Sequence, residues 1–415
     1  MSFRKLVLAV FVTNCFVAEA EPEETYLDSA ACWDVSDDSI SEFIKVTQMK
    51  GNSLGINAHA KRLKELEEIA TQIIAKRINA QPEQIHFTSG ATLSNNIAIL
   101  GVAYKYPKCH LITSKIEHKS VLNVFKHLEQ LGWRVTYLDV DQFGKVDLKQ
   151  LKSSIQPDTK LISIQMFNSE IGTLQNLFEI GQLAHEKGIL FHSDASQAFC
   201  KYDIDVEKMH IDLMTVSGYK IGSPKGIGAL YVRDSSQLQP IIFGSGDKLI
   251  PGTKPTALIC AFAKAVETFK IDTDAIASNF QVLVRELKKI PGVFINSQTP
   301  SHIISVSIDK VLLSDILERM NDYSFSAGCS CSGGDRSNVL EAINPNHTLP
   351  NCTLRISFTD YTPEKTLRDF AHKLEGVVEQ LRKEKIVGKG CVSSRSNKQK
   401  GIDNTLEKVR ELMKR

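Results

Sequence analysis

At 415 residues, with 42% apolar and 24% charged side chains, the chain is long enough to bury a sizeable core and to form two globular units. A formal charge of +2, with acids and bases intermixed, gives no polyanion-binding surface, so no nucleic-acid partner is expected. No segment reaches about 18 uninterrupted apolar residues, and no membrane span is expected.

The chain begins with Arg4-Lys5, a short apolar run over 6–12, and Ala18-Glu19-Ala20 ahead of an acidic stretch. That is the layout of a secretory signal peptide over 1–20, cleaved after Ala20. It favours export; the alternative is a cytoplasmic protein with an irregular extension. A 3.6-residue apolar period predicts a helix over 60–78. From Gln84, apolar runs at 85–87, 110–113, 134–138, 161–164, 188–192, 213–216 and 228–232 read as strands. Helical patterns at 95–104, 120–130 and 177–187 fall between them. This cadence predicts an α/β fold, a mainly parallel seven-stranded sheet covered on both faces.

Beyond Thr253 the pattern changes to helices at 256–269, 280–289, 314–320 and 363–383, with strands at 303–308 and 353–358. A smaller α+β domain is expected. The division is a large domain over 21–255, a small domain over 256–385 and a basic polar tail over 386–415. Residues 21–40 are expected to pack on the small domain, and a short amphipathic helix after Asn404 to close the chain. The nine cysteines are scattered and odd in number, which is no disulfide framework. Cys329 and Cys331 are spaced too tightly for a zinc knuckle, and reduced, separate thiols are expected.

The chemistry concentrates at strand ends. The run before Ser217-Gly218-Tyr219-Lys220 ends in a lysine, and the run before His192-Ser193-Asp194 ends in a carboxylate with Gln197 just beyond. Pyridoxal 5'-phosphate (PLP) needs this pairing: a lysine to form the Schiff base, and a carboxylate to hold the pyridine nitrogen protonated. Phe87-Thr88-Ser89-Gly90-Ala91-Thr92 joins a strand to a helix, and is either a phosphate-binding turn or an ordinary capped one. His118 follows the next strand, as a ring stacked on the cofactor and available for proton transfer, or as a helix cap. Arg355 interrupts an apolar strand, either to grip a substrate carboxylate or to form a structural ion pair. Cys329 lies among serines and glycines, where a reactive thiolate is favoured over a buried one.

Together these segments resemble cysteine desulfurases of the NifS/IscS type, in the class V, fold-type I family of PLP-dependent enzymes. The similarity runs from Tyr26-Leu27-Asp28-Ser29 to Lys383. It implies Lys220, Ala91, Thr92, His118, Asp194, Gln197, Ser217, Tyr219, Ser169 and Thr253 as cofactor-binding residues, with Thr253 reaching the phosphate of a neighbouring subunit in a homodimer. It implies Arg355 and the adjacent Asn168 at the substrate, and Lys220, His118 and the persulfide-forming Cys329 as catalytic residues. The implied reaction takes sulfur from L-cysteine, leaves alanine, and hands the sulfur to an acceptor protein such as an iron–sulfur scaffold. Alternatives are another class V reaction, such as selenocysteine lyase or aminotransferase, or a non-catalytic homologue that acts as a binding protein. The sequence departs from the family pattern at Ser169 (asparagine), Tyr219 (histidine), Leu93 (glutamate) and Ile250 (arginine). A retuned site is expected.

Overall fold

The computed structural model describes residues 24–327, 337–343 and 352–386. The signal-like segment, Cys329, Cys331 and the basic tail with its closing helix lie outside the described residues. The helices are α1 (Asp37–Thr47), α2 (Ala58–Arg77), α3 (Ala91–Lys105), α4 (Lys119–Gln130), α5 (Leu148–Ser154), α6 (Leu177–Glu186), α7 (Thr256–Thr268), α8 (Thr273–Leu287), α9 (Leu313–Arg319), α10 (Asn338–Ile343) and α11 (Glu364–Ile386). The strands of the large sheet are β2 (Ile85–Thr88), β3 (His110–Ser114), β4 (Arg134–Leu138), β5 (Thr159–Ser163), β6 (Leu190–Asp194), β7 (Leu213–Ser217) and β8 (Gly228–Val232), preceded in the chain by β1 (Thr25–Tyr26). The later strands are β9 (Val293–Ile295), β10 (Ile303–Ile308), β11 (Tyr323–Ser324), β12 (Ser326–Ala327) and β13 (Thr353–Ser357).

The seven-stranded sheet has the order β2-β8-β7-β6-β5-β3-β4. Neighbours from β7 to β4 run parallel, and β8 runs against both β7 and β2. Strands β3, β7 and β8 are buried along their whole length, as a sheet covered on both faces requires. The polar groups inside it are matched across strands. His192 bonds Ser163 on one side and Thr215 on the other, and burial lowers its pKa to about 4, so the ring is neutral.

A second core forms between the antiparallel sheet β12-β13-β10-β9 and helices α8 and α11, with Ile304, Ile356, Phe358 and Phe370 fully buried. Leu27 inserts into it, and β1 pairs in parallel with β11.

Element boundaries shifted where caps decide them. Helix α8 starts at Thr273, ahead of the expected 280, because Asp272 accepts the N–H groups of Asp274 and Ala275. Strand β6 starts at Leu190 and not at 188, because Gly188, at φ +63°, belongs to the turn that ends α6. Helices α1, α5 and α10 were not expected; α1 is capped by Ser36, with Asp37 and Asp38 in its first turn.

Gly181 shows how tightly the layers meet. A Cβ there would lie 1.9 Å from the Met209 carbonyl oxygen. Alanine would gain roughly 1 kcal/mol of helix propensity, but the overlap with a backbone atom outweighs it. Gly181→Ala should lower stability by about 1–3 kcal/mol, as overpacking does. A urea midpoint at or above that of the wild type would show that the layers can separate there.

Candidate active site

The parallel strands β3, β5, β6 and β7 all end on one edge of the sheet, and the residues that follow them enclose a cavity of about 280 Å³. Lys220 sits in the turn after β7. Its Nζ donates to the carbonyls of Ala30 (2.5 Å) and Ala31 (2.9 Å) and lies 4.6 Å from the centroid of the Tyr219 ring. Asp194 closes β6. Its Oδ1 accepts from the Ser196 N–H (2.9 Å) and hydroxyl (2.5 Å), and its Oδ2 from Asn95 (2.8 Å), so three donors fix the carboxyl plane. Gln197 donates to the same Ala30 carbonyl that receives Lys220.

After β2 the chain turns at Gly90, whose φ of +143° and ψ of 177° suit glycine. Residue Gly90 has no side chain to cap α3, so the N–H groups at the start of this 15-residue helix open toward the cavity rim formed by Ala91, Thr92 and Leu93. His118 lines the cavity and also caps α4: its Nδ1 accepts the Ser120 N–H at 3.1 Å. That acceptor role places the proton of the neutral ring on Nε2. The helix-cap reading of His118 is thus observed, and the ring also stands at the cavity wall.

Arg355, on β13, is 3% exposed, pairs with Asp28 at 2.7 Å and donates to the Ser169 carbonyl at 3.0 Å. The structural ion pair is thus observed, and the same side chain forms part of the cavity wall. Asn168 lines the cavity, yet its side chain is spent on the backbone of Ile116, Glu170 and Ile171, which makes it a brace of this turn. Thr253 does not line the cavity; it lies on the loop beside Asn52, and the resemblance assigns it to a neighbouring subunit. Ser217 Oγ and Gln197 Oε1 are buried with no hydrogen-bond partner among the described residues, and both side chains line the cavity.

Four groups of consequence escaped the sequence reading as site residues. Asn95 and Asp28 orient Asp194 and Arg355. Glu117 is fully buried; burial pushes its pKa up to about 8, against the pull of hydrogen bonds from Ser114 and the Gln165 N–H. Glu170, raised to about 7 by burial, accepts the Ser337 hydroxyl at 2.5 Å. Glu117 stood inside the Glu117-His118 motif, but nothing in one sequence distinguishes a buried carboxyl from a solvated one. Among the described thiols, burial pushes Cys109 and Cys200 to about 11 and Cys260 to about 12, which makes them poor nucleophiles. No described group of side chains could hold a metal ion.

An open α/β sheet with a lysine, a carboxylate and an uncapped helix start at its carboxyl edge is the frame of a fold-type I enzyme. The chain belongs to the aminotransferase class-V family, whose model matches residues 25–370. It is 39% identical over 332 residues to the cysteine desulfurase IscS of Ehrlichia chaffeensis, covering 76% of this chain and 81% of that one. It is 38% identical over 331 residues to the human cysteine desulfurase, covering 76% of this chain and 72% of the relative. Among solved structures, SspA in complex with cysteine matches with a TM-score of 0.73 at 37% identity, over 82% of this chain and all of that one. A NifS-like protein matches with a TM-score of 0.79 at 29% identity, over 86% of this chain and 99% of its own.

Glu117 offers a test by pH. Between its ordinary value near 4.5 and about 8, the folded protein keeps a proton that the unfolded chain has released. Stability therefore falls as pH rises through that window. Glu117→Gln removes this group's share, so its stability relative to the wild type should rise between about pH 5 and pH 8. Parallel urea-midpoint curves for the two proteins would show that Glu117 is already ionised at the lower pH.

Proposed function

We propose that the protein is a PLP-dependent L-cysteine desulfurase that forms a persulfide on Cys329 and releases alanine. The observation that carries this reading is the cavity itself. An amine, a carboxylate with three fixed donors and an uncapped helix start converge on it, and two buried polar atoms lack a protein partner there. Those residues fit PLP. The start of α3 and Ser217 suit its phosphate, Gln197 a ring substituent, Asp194 the pyridine nitrogen, His118 the ring face and Lys220 the aldehyde. When bound there, PLP supplies an electron sink for charge that develops on the substrate Cα.

The remaining work falls to this chain. Arg355, held in place by Asp28 and the Ser169 carbonyl, receives the substrate carboxylate. Lys220 takes the Cα proton, and His118, with its proton on Nε2, serves proton transfer to the carbon skeleton. The Cys329 thiolate attacks the substrate sulfur, the Cβ–S bond breaks, and the sulfur stays on Cys329 while the skeleton leaves as alanine. Both flanks of the segment that carries Cys329 support this: Ser326 pairs with Arg355 and bonds Asp28, and Asn338 and Val339 line the cavity. Cys331 stands close enough in sequence to take part by thiol exchange. The sulfur then passes to an acceptor protein, for which an iron–sulfur scaffold is the expected kind.

Purified protein supplied with PLP should show a visible band and release alanine from L-cysteine. Lys220→Ala should lose the lysine-linked band and turnover together. Cys329→Ser should lose sulfide production, whereas an aminotransferase or a non-catalytic binder would be indifferent to that change. A band without alanine would leave the scaffold and refute the activity.

The homodimer belongs to the same proposal. Ile56 (91% exposed) and Phe243 (83% exposed) are large apolar side chains facing solvent, joined by Ile40 and Ile44 on α1 and Ile69 on α2. Leu54 lies against Gly246, so the loop carrying Ile56 and the loop carrying Phe243 and Thr253 are neighbours. A second copy covering this face would bury it and bring Thr253 toward the partner's cavity. Light scattering should give twice the chain mass at micromolar concentration; a monomer would exclude the shared site.

A further inference from the structure

A second lysine lies beside the cavity and takes no part in the mechanism above. Lys201 is 5% exposed, its Nζ donates to the main-chain carbonyl of Lys220 at 2.9 Å, and the same nitrogen stands 4.8 Å above the Trp33 ring. Among the described residues no carboxylate pairs with it. A buried amine held only by a carbonyl and a ring has lost its hydration without gaining a counter-charge.

The groups around it add to this. Cys200 precedes it, and Arg77 donates to the Cys200 carbonyl. Lys220 is joined to it through its main-chain carbonyl, and the charges of Lys201, Arg355 and Lys220 together act on His302. Arg355 has Asp28 as its partner; Lys201 has none of that kind. His302 is 2% exposed, stacks on Phe167 and meets Trp33 edge-on, and its Nε2 has no hydrogen-bond partner among the described residues. Burial, then the neighbouring positive charges, hold that ring neutral. Lys201 itself is brought down to about 7, by burial first and Lys220 second, so its charge changes near neutrality. An apolar side chain of the same length would fill the space without that desolvation cost, so packing alone does not account for a lysine.

We propose that Lys201 is a positioning residue for Lys220: its amine fixes the Lys220 carbonyl, and its positive charge, when present, makes a second charge on the Lys220 nitrogen less favourable. This rests on the reading of Lys220 as the cofactor-linked lysine. The effect is electrostatic and reaches Lys220 through a water-poor interior, where like charges repel far more than in solvent. It keeps the nitrogen of Lys220 ready to accept a proton from substrate and not already burdened with one.

The test is the pH titration of the visible band in cofactor-loaded protein, a readout independent of turnover. Lys201→Arg keeps the charge at every pH, and Lys201→Met removes it while keeping the stem. The midpoint should be lowest in Lys201→Arg, intermediate in the wild type and highest in Lys201→Met, with a spread of about one pH unit, a tenfold change in proton affinity. Coincident midpoints in folded variants would overturn the proposal, even if Lys201→Met were less stable. If one variant fails to fold, the other against the wild type decides the sign. If no band forms, the functional reading has failed separately. Trace acetylation of Lys220 across pH, mapped by peptide mass, then reads the same order of midpoints, and an unchanged order-free result would sink it.

Discussion

Parallel strand direction is the constraint from which the rest of this site follows. Strands β3, β5, β6 and β7 run the same way, so four loops must leave the sheet on one edge, and the groups after each strand meet there whatever their distance in sequence. His118, Asn168, Asp194 and Lys220 are brought together by topology and need no local motif. The antiparallel β8 returns the chain beside β2, where Gly228 packs against Gly90: a Cβ on Gly228 would lie 2.9 Å from the Gly90 Cα. Two glycines in contact therefore set the shape of the turn at Gly90 that leads into α3.

The site is finished by a stretch of backbone that belongs to neither sheet. Leu27 enters the second core, Asp28 holds Arg355, the Ala30 carbonyl receives both Lys220 and Gln197, and Trp33 supports Lys201. Carbonyl oxygens here do work that a carboxylate would do with a charge. They direct both lysines through the main chain, and at Lys201 the bond to a carbonyl orients the amine without neutralising it.

Much of this was legible in the sequence, for a physical reason. Seven strands and most helices announced themselves because a sheet buried on both faces needs unbroken apolar runs, and those runs are short and well punctuated. Lys220, Asp194 and His118 could be read because each follows such a run directly. Lys201 could not, since Cys200-Lys201-Tyr202 looks like any surface turn and its burial depends on Trp33, a residue far away in the chain. Asp28 and Asn95 stayed hidden likewise: a pair formed by Asp28 and Arg355 leaves no spacing to recognise. Asn168 was legible as a site residue, but its three backbone bonds, which make it a brace, depend on loop geometry.

The pairing of Asp28 with Arg355, and of Leu27 and Ser29 with the strand that carries Ser357, joins the two ends of the described chain. Contacts of such long range form late, because closing a loop of that length carries its entropy cost before any reward. During synthesis, the large sheet can be complete while the carbonyls that receive Lys220 and the carboxylate that steadies Arg355 still lack their final seat. By that argument the seat of Arg355 would be among the last parts of the cavity to be fixed. A change that frees Asp28 from Arg355 would therefore act on the cavity wall and on the joint between the two ends at once.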